Sequence, residues 1–148
     1  MDTQVRPATA DAEIRSLIDS WLEAVRAKDL DAIMAHYAPD ILSFDAIAQL
    51  QFKGAEAYRK HWQACFDMCP GETVFEAHDL GIAAEGDVAF CHYLCRCGGT
   101  GPDGKMQVGW MRATVCCRRT NGRWLVAHEH FSAPFDPQSS KALFDLEP

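Results

Sequence analysis

Apolar runs are short throughout the chain. None approaches the ~18 consecutive apolar residues of a membrane-spanning helix, and the opening residues MDTQVRPATADAE hold no apolar stretch of the kind a secretory leader needs. A cytoplasmic location is expected and a membrane partner is not. Basic residues are scarce as well: 14 Lys and Arg stand against 21 Asp and Glu, a formal charge of -7. That balance opposes binding by phosphate neutralisation, so nucleic acid is not an expected partner. Arg118, Arg119 and Arg123 do cluster, but around a predicted hairpin tip. No Cys-x-x-Cys knuckle, no His-Glu-x-x-His helix and no phosphate-cradling glycine loop is present, which removes the usual signatures of zinc and nucleotide sites. The protein is expected to work without a metal or other cofactor. Its seven cysteines, an odd number, are read as thiols, with Cys91, Cys95 and Cys97 packed in the core from one strand face.

What is present fills one domain. At 148 residues and 48% hydrophobic content the chain can bury a single core. We place an arm over 1–10, one domain over 11–136 and a tail over 137–148, whose Leu143, Phe144 and Leu146 could dock on the body or on a partner. Ile14, Leu17, Ile18, Trp21, Leu22 and Val25 recur at helical spacing and predict a helix from about Asp11 to Lys28. A second, short helix starts at Asp29 with Leu30, Ile33, Met34 and Tyr37 as its stripe, stopped by Pro39. The segment 41–52 reads as a strand pair or as a strand and a loop. A third helix follows Gly54 and carries Tyr58, His61, Trp62, Cys65 and Phe66. From Glu72 the period changes to two, and strands are predicted at 73–84, 88–98, 106–119 and 123–132. Helices first and a meander of strands after them is an α+β arrangement.

The segment 109–136, GWMRATVCCRRTNGRWLVAHEHFSAPFD, reads as two strands joined by a turn at Asn121-Gly122. Period two puts Trp110, Arg112, Thr114 and Cys116 on one face, and places Trp124, Val126, His128 and His130 together in the next strand. A surface with Arg, Thr, two His and two Trp has the composition of a mixed polar and aromatic pocket wall. The opposite row, Cys91, Tyr93, Cys95, Met111, Ala113, Val115 and Cys117, is apolar, and it is expected to pair two copies into a homodimer through the sheet.

The stretches Asp87 to His92, Trp110 to Thr114 and Gly122 to Pro134, after the opening WLEAVRAKDLDAIMAHYAPD, resemble the SnoaL-like branch of the nuclear transport factor two and ketosteroid isomerase superfamily. The HEH-x-S-x-P ending is most similar to the small proteins of polyketide and enediyne biosynthesis. The resemblance implies a cone-shaped, cystatin-like fold, with three helices on a strongly curved, mixed and mostly antiparallel sheet, an internal cavity and a dimer. Isomerases, cyclases, epoxide hydrolases and non-catalytic modules all use this scaffold, so the reaction does not follow from it. The resemblance also sets Asp45 where ketosteroid isomerases hold their base, and Trp21 where they hold a tyrosine.

Asp45, Arg112 and His128 are the candidate catalytic residues: Asp45 as general base, with Arg112 and a histidine stabilising an oxyanion. Trp21, Tyr37, Trp62, His92, Trp110 and His130 are the candidate substrate-binding residues. Each has a structural alternative: Asp45 as a turn acceptor, Arg112 as a partner of Glu129 or Asp45, the histidines and aromatics as core. Two readings follow, a cofactor-independent isomerase or cyclase acting on a hydrophobic carbonyl compound, or a non-catalytic small-molecule-binding or assembly module. Epoxide hydrolysis ranks below both, because only Asp45 among the carboxylates is assigned to the pocket.

Overall fold

A computed structural model describes residues 8–148; the first seven residues of the expected arm lie outside the described residues. Helix α1 (Ala10–Arg26) starts where Thr9 accepts a hydrogen bond from the Ala12 amide, with Asp11 and Glu13 in its first turn, where the helix dipole favours negative charge. Helix α2 (Leu30–Met34) is capped by Asp29 in the same way. Helix α3 (Ala55–Met68) follows Gly54, whose φ of 88° suits glycine. The strands are β1 (Tyr37–Phe44), β2 (Phe52–Lys53), β3 (Thr73–Glu85), β4 (Val88–Thr100), β5 (Met106–Thr120) and β6 (Arg123–Ser132). They form one open sheet in the order β2-β1-β6-β5-β4-β3, antiparallel except for β1 beside β6. Among the described residues no helix is long and apolar enough to cross a membrane.

The second helix is shorter than its stripe suggested. It ends at Met34, and Tyr37 opens β1, where pairing with β6 outweighs one more helical turn.

The core lies between α1 and α3 and one face of the sheet, and that face is the apolar row. Cys91, Tyr93 and Cys95 on β4, and Ala113, Val115 and Cys117 on β5, are all buried there with Trp21, Trp62 and Tyr58. The row expected to meet a second copy is therefore the core face. The Trp110, Arg112, Thr114 and Cys116 row expected to line the cavity is the outer face. Helices need apolar area beneath them, and the row with more of it wins.

A second correction comes from one residue. β5 and β6 pair Cys116 with His128 but Cys117 with Val126, so Ala127 is an extra residue, a β-bulge. Before it Trp124 and Val126 point into the core; after it Glu129 and Phe131 do. The bulge reverses the alternation, and His128 and His130 pass to the outer face. A like shift in β3, around Asp79 and Leu80, sets Gly81 opposite His92. The tail returns to the body: the Trp110 amide donates to the Phe144 carbonyl at 2.8 Å, and Leu143 to Pro134 at 2.8 Å.

Candidate functional site

A cavity of about 160 Å³ opens between α3 and the inner face of β3, β4 and β5. Val25, Trp62, Phe66, Phe75, Met111 and Phe131 give it an apolar wall; Asp45, His61, Thr73, Cys65, Cys69 and Cys97 supply its polar atoms. Asp45 follows the last residue of β1, and its Oδ1 accepts the Ile47 amide at 3.0 Å. Its Oδ2 is 3.1 Å from the Tyr58 hydroxyl and 3.4 Å from His61 Nε2. Tyr58, His61, Trp62, Cys65 and Phe66 fall on one stripe of α3, which is why His61 is carried inward with the aromatics. Its ring stacks on Phe52 at 4.2 Å, and Cys65 Sγ is 3.7 Å from Nε2.

Both charges are sheltered: the Asp45 side chain is 12% exposed and that of His61 6%. Burial works against the imidazolium, but the hydrogen bonds and charge offered by Asp45, with Cys65, outweigh it and take the His61 pKa up to about 9. Asp45 thus favours the imidazolium form of His61, and the two side chains meet as an ion pair.

Behind Asp45 stands a second carboxyl. Glu129 is 1% exposed, and its Oε1 is 2.6 Å from the Tyr58 hydroxyl and 2.9 Å from that of Tyr37. Tyr37 in turn accepts from Trp21 Nε1 at 2.9 Å. Burial pushes the Glu129 pKa up to about 7, with the two tyrosine hydrogen bonds pulling against it and the Asp45 charge adding to it. Trp62 Nε1 and Thr73 Oγ1, both on residues of the cavity wall, are buried without a hydrogen-bond partner among the described residues.

Of the nine residues picked out from the sequence, Asp45 and Trp62 line the cavity. Trp21 and Tyr37 lie one layer behind it: Trp21 packs on Trp62, Phe75 and Phe131, and Tyr37 on Tyr58. Arg112, His128, His92, Trp110 and His130 are on the outer face. There Arg112 donates to Ser132 Oγ at 3.2 Å, His128 Nδ1 meets the Leu42 carbonyl at 2.6 Å, and Phe44 packs edge-on against His128 and His130. Trp110 packs on His78 at 5.0 Å, and His92 lies under Gly81. Arg112 and His128 thus do not converge on Asp45; the period-two reading chose the wrong face for one and missed the bulge before the other.

The residues that do converge on Asp45 are His61, Tyr58 and, through Tyr58, Glu129, none of them among the nine. A histidine inside the aromatic stripe of α3 marked His61. Glu129 was the alternate member of His-Glu-His, and it needed only the parity change at Ala127. Among the described residues no group of three or more His, Cys, Asp or Glu side chains is placed to hold a metal ion.

The SnoaL-like domain family matches residues 14–136. The chain belongs to that family. This SnoaL-like protein is 52% identical to an NTF2-like protein of unknown function from Pseudomonas putida KT2440, with 96% of this chain and 100% of that one covered and a TM-score of 0.87. More distant structures share the fold. A ketosteroid isomerase-like protein from Erwinia carotovora atroseptica matches at 18% identity and TM-score 0.71, covering 82% and 93% of the two chains. A candidate dehydratase of the NTF2-like family from Streptomyces avermitilis matches at 15% and 0.73, covering 81% and 93%. No curated protein matches the SnoaL-like chain at a significant level. The fold is the expected cystatin-like one, with three helices on a six-stranded mixed sheet that does not close.

Proposed function

We propose that the protein is a cofactor-independent proton-transfer enzyme acting on a small hydrophobic carbonyl compound, an isomerisation or the α,β-elimination of water. One observation carries this reading: a sheltered Asp45 and His61 ion pair in the wall of an otherwise apolar cavity. The cavity is close in size to an engineered one of ~150 Å³ that takes up benzene, so the substrate part it encloses is about one ring. Asp45 removes the proton α to the carbonyl while the His61 imidazolium protonates the enolate oxygen or the departing hydroxide; in isomerisation the Asp45 acid then returns its proton to the γ-carbon as His61 takes back the enol proton, and in elimination the proton on Asp45 passes to His61, so that both groups are restored. The enclosed space strengthens each of these interactions relative to water. The names of the isomerase-like and dehydratase-like neighbours support the class by fold analogy alone.

A binding module is the second reading, favoured by the full engagement of Asp45, whose oxygens already meet Ile47, Tyr58 and His61. Proton exchange separates the two. With 2-tetralone in D2O, proton NMR should show faster loss of the α-proton signal in the presence of the protein, and Asp45→Asn should slow that loss by ~10²–10⁴-fold while the fold persists. An undiminished rate in Asp45→Asn removes the general base. If 2-tetralone and other enolisable ketones bind without exchange, the protein is a binding module.

A further inference from the structure

Tyr58 touches two carboxyl groups with one hydrogen. Its hydroxyl oxygen is 2.6 Å from Glu129 Oε1 and 3.1 Å from Asp45 Oδ2, and it can donate to only one of them. With both carboxyls ionised, the other contact would press two lone pairs together inside the protein. A proton on Glu129 satisfies every contact in sequence: Trp21 donates to Tyr37, Tyr37 to Glu129, Glu129 to Tyr58 and Tyr58 to Asp45. A proton on Asp45 would also fill the gap, but the surroundings decide against it. Asp45 has the Ile47 amide and the His61 imidazolium to hold its charge. Glu129 faces no cation among the described residues. Around it are Tyr37 from β1, Tyr58 from α3, Tyr93, Cys91 and Cys95 from β4, and Cys117 from β5, with Asp45 as the nearest anion.

We infer that Glu129 is a positioning residue for Asp45: it holds a proton in the core and thereby turns the Tyr58 hydroxyl toward the Asp45 carboxylate. When Glu129 ionises, Tyr58 donates to Glu129 instead and Asp45 loses a donor. The elevated Glu129 pKa, about 7 and caused first by burial, puts this exchange near neutrality. The proposal rests on Asp45 being the working base, but its test does not use turnover, so the two can fail separately.

The test follows the side-chain carboxyl carbons by ¹³C NMR in the ligand-free protein between pH 5 and 8. In the wild type the Asp45 carbon should show a step at the midpoint of Glu129. In Tyr58→Phe that step should vanish while Glu129 still titrates. In Glu129→Gln the Asp45 signal should stay at its low-pH position, since the amide donates to Tyr58 as the protonated acid does. A wild-type Asp45 with no step at that midpoint overturns the proposal. So does a step that survives Tyr58→Phe at full size, which would mean the charge acts directly through space.

Discussion

Asp45 holds the His61 ring in its charged form against the pull of an apolar wall, and the opposed effects can be separated by removing one partner. Burial alone lowers a histidine pKa; the raised value of about 9 is owed to Asp45, with a contribution from Cys65. Asp45→Asn keeps the shape and the Ile47 hydrogen bond but removes the charge. The His61 pKa should then fall from about 9, read from the ring carbon signals in a pH titration. A value that stays near 9 would mean that Asp45 is not the ion-pair partner, and the acid half of the proposed chemistry would lose its support. With the amide oxygen kept on Ile47, the same substitution sets an NH2 where Oδ2 had accepted from Tyr58, and the Tyr58 hydroxyl is left with the Glu129 carboxyl as its acceptor. The four residues divide their labour. Asp45 and His61 face the cavity, while Tyr58 and Glu129 decide how many donors Asp45 has.

At the scale of elements, β4 and β5 meet beside the cavity at Gly98 with no room for a side chain. A Cβ at Gly98 would come 1.9 Å from the Gln107 carbonyl oxygen, which is backbone and cannot swing away. Gly98→Ala must push the strands apart at the cavity wall, at a cost of at least ~2 kcal/mol, or roughly 4–8 °C in Tm for a chain of this size. Thermal unfolding followed by circular dichroism checks it; an unchanged Tm would show that the pair can spread freely. Strands of this kind were legible in the sequence because Asn121-Gly122, Glu85-Gly86-Asp87 and the alternation between them depend on local chemistry. The helices were legible from the spacing of Ile14 to Val25 and of Tyr58 to Phe66. Which face of the sheet lies inward was not. That choice is made by the whole of α1 and α3 seeking apolar area, and the Cys91, Tyr93 and Cys95 row fits such a cover as well as it fits a second subunit. Ala127 was beyond reach for a different reason: a bulge needs no special side chain, yet one inserted residue exchanges His128 and His130 for Glu129 and Phe131.

The whole molecule reports its buried ionisable groups through the pH dependence of folding. Glu129 has a folded pKa of about 7 against an ordinary 4.5, so between those values the folded chain keeps a proton that the unfolded chain releases. Its contribution is complete below pH 4.5 and is lost as the pH rises through 7. His61, at about 9 against 6.5, acts in the same direction over a higher window, complete below 6.5 and lost as the pH rises through 9. Both slopes run downward, and the protein should therefore be most stable on the acid side of neutrality. The Glu129 part is on the order of 3 kcal/mol between pH 4.5 and 7, since each unit of pKa is worth about 1.4 kcal/mol. Glu129→Gln removes that part and leaves the His61 part. Urea unfolding at pH 5, 7 and 9 should thus show the wild type losing stability across both intervals, and the variant losing it chiefly across the second. The wild type and Glu129→Gln should be close at pH 5, where Glu129 is still largely neutral, and the variant should be the more stable at pH 7 and 9. If the two proteins keep the same slope between pH 5 and 7, Glu129 is ionised in the folded state and the proton in the core belongs to another group.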